Sequence, residues 1–223
     1  MKLVHPLLEK PILFEENMAN ILVVENQKVF AEMVWELFNQ TNGGEGQFIL
    51  SSELKQLELN KRMDLVIDLF SLDFNQKKIL NKLFSQLKEI ATGGEYYEDS
   101  MCLIGEITTY LERIMQSIQY PLGYNSEFDI STIFKLVDVK IDITYETLLE
   151  KIIDYITLIQ EFLGINLFVF VNLKCFLSFE ELEQLYLSIA YKKCNILLLE
   201  NSINEKRLEQ EIIRIIDSDL CEI

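Results

Sequence analysis

Two patterns of apolar and polar residues alternate along the chain, and each predicts its own kind of element. Continuous apolar runs at residues 165–172 (INLFVFVN) and 195–201 (NILLLEN) are typical of strands buried on both faces. Shorter strands are predicted at 12–14, 20–24, 47–50 and 65–70. Apolar stripes with helical spacing predict helices at 27–39, at 75–90 with Asn75 as its N-cap, and near 179–190, and an acidic helix is predicted at the end of the chain. Buried strands joined by helical crossovers indicate an α/β fold with a mainly parallel sheet.

The middle of the chain has a different texture. Apolar residues from Ile104 to Ile118 and from Leu149 to Leu163 recur at alternating spacings of three and four. This spacing is typical of the seam of a coiled-coil-like helix pair. We therefore predict an α/β head formed by residues 1–94 and 164–223, interrupted by an inserted α-helical leg at 95–163.

The turn after the predicted strand 20–24 is the position at which nucleotide hydrolases carry a phosphate-binding loop. Here the turn reads VENQKV, with one lysine, no glycine and no hydroxyl residue. Glu25 would repel a phosphate at the start of the following helix. Glu200 ends a strand, as the acid that serves Mg²⁺ does in such hydrolases, but an acid after four apolar residues is common in any parallel sheet, so we expect a strand-end carboxylate in solvent. The head thus resembles a degenerate phosphate-loop nucleotide hydrolase in architecture and differs from it in chemistry.

Composition narrows the classes of function. The chain has 20 Lys and Arg against 36 Asp and Glu, a formal net charge of −16, which disfavours indiscriminate nucleic-acid binding but permits a local basic patch. His5 is the one histidine, so a hydrolytic triad and a zinc site lack their residues. Four scattered cysteines, the lack of an apolar stretch at the N-terminus and the lack of a membrane-length apolar run predict a cytoplasmic protein.

The few basic residues are placed unevenly. Four lysines lie within roughly 140° of arc on the predicted helix 75–90, opposite its apolar stripe, and a basic pair precedes the strand 65–70. A phosphate-contacting surface and an ordinary solvated helix face both fit this pattern. The candidate DNA-binding residues are Lys61, Arg62, Lys77, Lys78, Lys82 and Lys88.

Acidic residues cluster around the end of the predicted leg. Hard cations such as Ca²⁺ take several oxygen ligands, although no EF-hand spacing is present. Solvated carboxylates are the alternative explanation. The candidate metal ligands are Glu127, Asp129, Asp142, Glu146 and Glu150.

Ordered segments along the whole chain carry a family resemblance. They are LLEKPI at 7–12, ILVVENQKVFAEMV at 21–34, LVIDLFSLDFNQKKIL at 65–80, VKIDITYETLLEK at 139–151, LFVFVNLKCFLSFEELEQL at 167–185, and NILLLEN. In this order and spacing the chain resembles the ring-forming adaptation protein of type II-A CRISPR systems, an accessory family that binds double-stranded DNA ends.

The resemblance implies a non-enzymatic protein with an α/β head and a helical leg. Four copies would form a ring whose positively charged hole takes linear duplex DNA, with Ca²⁺ supporting the ring. The implied partners are the CRISPR integration proteins and the RNA-guided effector nuclease, in the acquisition of new spacers. One departure concerns the family's strongly acidic segment before the VK strand, since residues 116–135 hold only Glu127 and Asp129.

Three functions remain open on the sequence. The first is a homotetrameric protein that binds DNA ends without catalysis. The second is an active or vestigial nucleotide hydrolase. The third is a protein-interaction scaffold of the adaptation complex.

Overall fold

The structure, a computed structural model, describes residues 1–53, 55–125, 129–203 and 206–223. Its helices are α1 (Gln27–Thr41), α2 (Leu59–Arg62), α3 (Lys77–Thr92), α4 (Tyr97–Met115), α5 (Ser131–Leu136), α6 (Leu148–Leu163) and α7 (Phe179–Tyr191). Its strands are β1 (Lys2–Val4), β2 (Ile12–Leu13), β3 (Ala19–Val24), β4 (Ile49–Ser52), β5 (Lys55–Leu57), β6 (Met63–Val66), β7 (Leu167–Val171), β8 (Asn195–Glu200) and β9 (Glu211–Ile216).

Two compact units divide the chain. Residues Met1–Asp73 and Thr144–Ile223 form one, the parallel-sheet unit, and Phe74–Ile143 form the other, the helical unit. These bounds differ from the predicted ones at 94/95 and 163/164, because α3 lies in the helical unit and α6 lies in the parallel-sheet unit.

A five-stranded parallel sheet with the order β6-β7-β8-β3-β9 is the centre of the parallel-sheet unit. Every residue of β3 and β7 is buried, as the continuous apolar runs predict. Central strands with covered faces have no room for polar alternation, which explains these runs. The predicted α/β fold with a mainly parallel sheet is confirmed.

A smaller antiparallel sheet with the order β2-β1-β4-β5 belongs to the same unit. Leu3 of β1, Ile12 of β2 and Leu50 of β4 are almost fully buried and join the main core beside Met33 and Leu37 of α1. The two sheets therefore share one hydrophobic core with α1.

The end of the chain corrects one expectation. The predicted acidic tail helix is wrong, because Glu211–Ile216 form β9, which pairs in parallel with β3. The segment EIIRII also has apolar residues at helical spacing, but four β-branched isoleucines in six residues favour an extended strand. The free edge of β3 then supplies the hydrogen-bonding partner.

The two apolar runs with spacings of three and four serve different cores. α6 packs against α7 and buries Leu149, Ile152, Ile156 and Ile159. In contrast, α4 packs against α3 and buries none of its residues. The two runs thus belong to different compact units, α4 to the helical unit and α6 to the parallel-sheet unit, because a seam of this spacing fits any apolar neighbour.

Asn75 is not the N-cap of α3 that the sequence predicts. The N-cap of α3 is Gln76. The Asn75 side chain instead holds the segment 139–143 by donating to the Ile141 carbonyl at 3.0 Å and accepting from the Ile141 N–H at 2.8 Å. This pair of bonds closes the helical unit at both ends of its chain segment.

Candidate nucleic-acid interface

The amino-terminal half of α3 carries the densest group of unpaired cations in the predicted set. Lys77, Lys78 and Lys82 are exposed, and none of them forms an ion pair within the described residues. Ile79, on the opposite side of the helix, is fully buried and fixes that face inward. The helix dipole and the free N–H groups of the first turn also favour an anion at this end. We call Lys77, Lys78 and Lys82 the α3 lysine face.

Lys88, the fourth predicted lysine of this helix, is paired with an acid. Its ammonium group donates to Asp129, and both side chains are about half exposed. The bond to Lys88 lowers the pKa of the Asp129 carboxyl to about 2. The structure thus brings together one predicted DNA-binding residue and one predicted metal ligand, and each neutralises the other.

The predicted basic pair Lys61-Arg62 belongs to α2 in the parallel-sheet unit. Lys61 pairs with Glu58 at 2.8 Å, one turn earlier in the chain. Arg62 is exposed and forms no ion pair within the described residues. Of the six predicted cations, Arg62 and the α3 lysine face therefore keep an uncompensated charge.

The turn between β3 and α1 lacks the features of a phosphate site. The Asn26 side chain caps α1 and accepts from the N–H groups of Lys28 and Val29, at 3.2 Å each. These are the donors that a phosphate would need. The cap therefore occupies the position at which a nucleotide phosphate binds in a phosphate-loop fold.

At the carboxyl end of β8 the structure corrects the expectation of a solvated acid. Glu200 is 3% exposed and accepts from the Lys174 N–H at 3.1 Å. Burial raises the pKa of its carboxyl to about 7. The Lys174 side chain in turn pairs with Glu211 at 2.7 Å, with 6% and 1% of the two side chains exposed. Glu211 also accepts from the Tyr186 hydroxyl at 2.9 Å, and burial raises the pKa of that phenol.

The contacts of this buried cluster hold elements of the unit together. Lys174 and Tyr186 both contact the Oε1 atom of Glu211, and Glu200 fixes the short 3-10 turn that follows β7. An acid that serves a magnesium site would instead present an accessible oxygen to the Mg²⁺ ion. Neither the Glu200 carboxylate nor the capped turn thus supports nucleotide hydrolysis.

The predicted metal ligands are dispersed. Glu127 lies outside the described residues. Asp129 is paired with Lys88, and Asp142 and Glu146 are exposed. Glu150 accepts from the N–H groups of Glu146 and Thr147, at 2.8 and 3.2 Å, as the acid of the α6 capping box.

Asp129 and Asp142 belong to the helical unit, and Glu146 and Glu150 belong to the other unit. Over the described part of the chain, no three His, Cys, Asp or Glu side chains are grouped as metal ligands. A Ca²⁺ ion needs six to eight oxygens, so the donor set described here does not fit it. Calcium binding stays a prediction of the resemblance.

His5, the one histidine of the chain, packs in the core. It is 4% exposed, and its ring centre lies 4.3 Å from that of Phe48. Burial lowers its pKa, although Glu36 lies 3.5 Å from its Nε2 atom. Its ring nitrogens are thus used in packing and local hydrogen bonds.

Sequence reasoning missed an apolar groove on the parallel-sheet unit. It has a volume of about 450 Å³ and is lined by α1 residues with Ile67 and Val171. Trp35 and Phe38 stack at its rim with ring centres 5.7 Å apart, and they are 63% and 42% exposed. The signal in the sequence was Trp35, which lies next to the apolar stripe of α1 and widens it beyond what one core needs.

The helices of the described ranges include none that is long and apolar enough to cross a membrane.

Together, the parallel sheet without a phosphate loop and the helical unit with an exposed lysine face define an α/β protein whose candidate ligand is a polyanion. Comparison with known proteins then gives the family. A family model described as CRISPR-associated protein (Cas_Csn2) matches residues 40–220. The chain belongs to this family of CRISPR-associated proteins, as the resemblance predicts.

Individual relatives agree with this assignment. The chain is similar to the CRISPR-associated protein Csn2 of Enterococcus faecalis, with 24% identity over 220 aligned positions, and the alignment covers 94% of this chain and 94% of the relative. It is 25% identical over 210 residues to Csn2 of Streptococcus agalactiae, covering 90% of this chain and 89% of the relative. Its fold is similar to the crystal structure of Stu0660 of Streptococcus thermophilus, with a TM-score of 0.61 and 12% identity, over 97% of this chain and 75% of that one.

Proposed function

We propose that this protein binds the ends of linear double-stranded DNA, without catalysis and without reading the sequence, as a homotetrameric ring in the cytoplasm. In this role it supports spacer acquisition together with the CRISPR integration proteins and the RNA-guided effector nuclease. The observation that carries the proposal is the α3 lysine face, in a chain whose other charges are predominantly acidic.

The chemistry of this face suits a DNA backbone. Three unpaired ammonium groups lie along about a turn and a half of helix, and they can contact successive phosphates as point charges. No planar guanidinium lies on this stretch of helix, so bidentate recognition of guanine is not built in. Binding of this kind depends on phosphates and is independent of base sequence.

Self-association is supported by the surface of α4. This helix has 19 residues and buries none of them, while Met101, Tyr110 and Ile114 are each about half exposed. An apolar helix surface of this length is costly in water unless another chain covers it. A second copy in a ring would supply that cover.

The first experiment compares binding to a linear duplex and to the same sequence as a closed circle, each with calcium and with a chelator. Binding to the linear form alone supports a closed ring that threads over an end. Equal binding to both forms contradicts the ring. The calcium and chelator arms test the calcium prediction separately.

The second experiment tests the lysine face. Replacing Lys77, Lys78 and Lys82 together by Gln should weaken binding at least tenfold and reduce the slope of log K against log salt by about one for each phosphate that the variant no longer neutralises. A control with Lys10, Lys28 and Lys140 replaced by Gln has the same net charge and should bind as the wild type does. Equal weakening in both variants would reject the lysine face as the DNA-binding surface.

A protein-interaction scaffold is the second candidate, because the groove at Trp35 and Phe38 is apolar and open. It predicts association with the integration proteins and no duplex binding. Replacing Trp35 by Ala should then abolish the association, whereas the lysine variants should not affect it.

A further inference from the structure

A second group of uncompensated cations lines a cavity in the parallel-sheet unit, apart from the α3 lysine face. The cavity has a volume of about 310 Å³. It lies at the amino ends of three neighbouring strands, where Met63, Leu167 and Asn195 are register partners across β6, β7 and β8. Its polar lining residues are Ser52, Arg62, Asn166, Lys193 and Asn195.

The charged residues that line this cavity, Arg62 and Lys193, are both positive. Neither Arg62 nor Lys193 forms an ion pair with any described residue. Lys61 shows the contrast, since it pairs with Glu58 at 2.8 Å in the same short helix. Two like charges that share a cavity repel each other unless an anion lies between them. An anion bound in the cavity would meet two positive charges and no carboxylate among the lining residues.

The backbone at Lys193 gives an independent observation. Lys193 has a φ of 53°, in the left-handed region. It follows the C-cap of α7 in a Schellman motif, in which the Lys193 N–H donates to Ala190 at 3.0 Å and the Cys194 N–H donates to Ile189 at 3.1 Å. Glycine is the usual residue at this position, because a Cβ is strained there. A lysine thus stands at a position that favours glycine and lines the cavity, and backbone strain of this kind is found at binding sites.

We propose that this cavity, here called the phosphate cavity, binds the phosphate group of a small phosphorylated ligand or of a DNA terminus. The Arg62 guanidinium can hold two phosphate oxygens, and the Lys193 ammonium neutralises the second charge. The Asn166 Oδ1 atom accepts from Gln160 at 3.4 Å, so its Nδ2 group is left to donate to the ligand. For a free phosphorylated ligand the proposal goes beyond the proposed function, and for a DNA terminus it rests on that function and adds a second group of contacts.

The direct test measures inorganic phosphate and adenosine monophosphate binding by calorimetry at low salt. Arg62→Gln and Lys193→Gln should each weaken phosphate binding about tenfold or more, which is the value of a charge-assisted hydrogen bond. Lys10→Gln is the control, because Lys10 is also an exposed lysine of this unit and forms no ion pair with any residue of the described ranges. No phosphate binding by the wild type at about 10 mM, or equal binding by all variants, overturns the proposal.

Lys193→Gly separates binding from folding. This variant removes the charge and the backbone strain together, so it should raise the melting temperature while weakening phosphate binding as Lys193→Gln does. If Lys193 served only to stabilise the fold, Lys193→Gly would lower the melting temperature or leave it unchanged. A variant that is more stable and binds phosphate as the wild type does would overturn the proposal.

The source of the phosphate is distinguished with two DNA duplexes. A 5′-phosphorylated duplex that binds more tightly than its 5′-hydroxyl form, with the difference lost in Arg62→Gln, assigns the cavity to a DNA terminus. Equal affinity for both duplexes, with inorganic phosphate still bound, assigns it to a free phosphorylated ligand. Since inorganic phosphate is measured without DNA, a failure of the proposed DNA binding leaves the result for the phosphate cavity readable.

Discussion

The two compact units of this protein treat their apolar and charged residues in opposite ways. The parallel-sheet unit buries whole strands and even an ion pair, Lys174–Glu211, between its elements. The helical unit leaves the apolar residues of α4 exposed and keeps its ion pairs on the surface. The first unit is thus stabilised by its own core, whereas the second presents the surfaces that a polyanion and other copies of the chain would need.

The difference between buried and exposed ion pairs is tested most directly by removing one cation from each unit. Lys174→Met leaves Glu211 charged and unpaired in the core, so it should lower the free energy of unfolding by about 3–5 kcal/mol. Lys140→Met breaks the exposed pair with Asp138, whose atoms lie 3.8 Å apart, and should cost less than about 1 kcal/mol.

Urea denaturation measures both variants. The double variant Lys174→Met, Glu211→Leu should recover much of the stability, since no charge then stays buried. Equal effects of Lys174→Met and Lys140→Met would show that the Lys174–Glu211 pair is accessible to water.

A second comparison uses one residue type in two helices. Ile159 of α6 is fully buried and Ile114 of α4 is 48% exposed. Ile159→Ala should lower the free energy of unfolding by about 2–5 kcal/mol, because it leaves a cavity. Ile114→Ala should change it by less than about 1 kcal/mol.

Sedimentation distinguishes the second effect of Ile114→Ala. If α4 forms an interface between copies, this variant should dissociate the oligomer at concentrations at which Ile159→Ala, once folded, stays assembled. An unchanged oligomer would remove α4 from the proposed ring interfaces.

The pH dependence of stability tests the buried Glu200. Its pKa is raised from 4.5 to about 7 in the folded state, so the folded protein holds this proton more tightly than the unfolded chain does. The stabilisation is therefore complete below pH 4.5 and is lost as the pH rises through about 7.

Glu200→Gln keeps the hydrogen-bonding shape and cannot ionise. The free energy of unfolding, measured from pH 4.5 to pH 8, should depend less on pH in this variant than in the wild type. The difference between the two proteins should develop as the pH rises from 4.5 to about 7. Parallel curves for both proteins would mean that Glu200 is not buried as described.

The smallest expected effect concerns Lys88 and Asp129 in the helical unit. Lys88→Gln removes the partner that holds the pKa of Asp129 at about 2, so that pKa should rise toward its ordinary value of 3.8 in a nuclear magnetic resonance titration. Because both side chains are about half exposed, the free energy of unfolding should change by less than about 1 kcal/mol. The same variant should weaken DNA binding less than Lys82→Gln does, and a larger effect would mean that the ion pair opens on binding.

Prediction from the sequence succeeded where one residue pattern has one physical solution. The runs at β7 and β8 are too apolar for anything but covered strands, and the helical spacing after β7 predicts α7 close to its observed bounds. It failed at β9, where helical spacing and β-branched residues disagreed and the free edge of β3 decided. It failed again at Glu200, since the pattern of a strand-end acid does not state what covers that strand end.

The candidate site was predictable only in part, because the sequence shows which residues share a helix face but does not show what packs against them. Helical periodicity alone places Lys77, Lys78 and Lys82 on one face of α3, and the structure shows them there, exposed. The pairing of a cation with an acid depends instead on how distant segments pack. Lys88 pairs with Asp129, which lies 41 residues later in the chain. Family membership was predictable because it depends on the order and spacing of many segments, which the sequence states directly.

The α/β class, the buried strands, the absent phosphate loop and the family can all be read from the sequence, since each follows from local pattern and order. Which residues share a surface depends instead on the tertiary structure. It gathered Arg62 and Lys193, 131 positions apart, in one cavity at the amino ends of neighbouring parallel strands. It also placed α3 and α6 in different units from those predicted. The reason is physical: burial and charge pairing depend on what packs against a residue, and that neighbour is chosen by the whole chain.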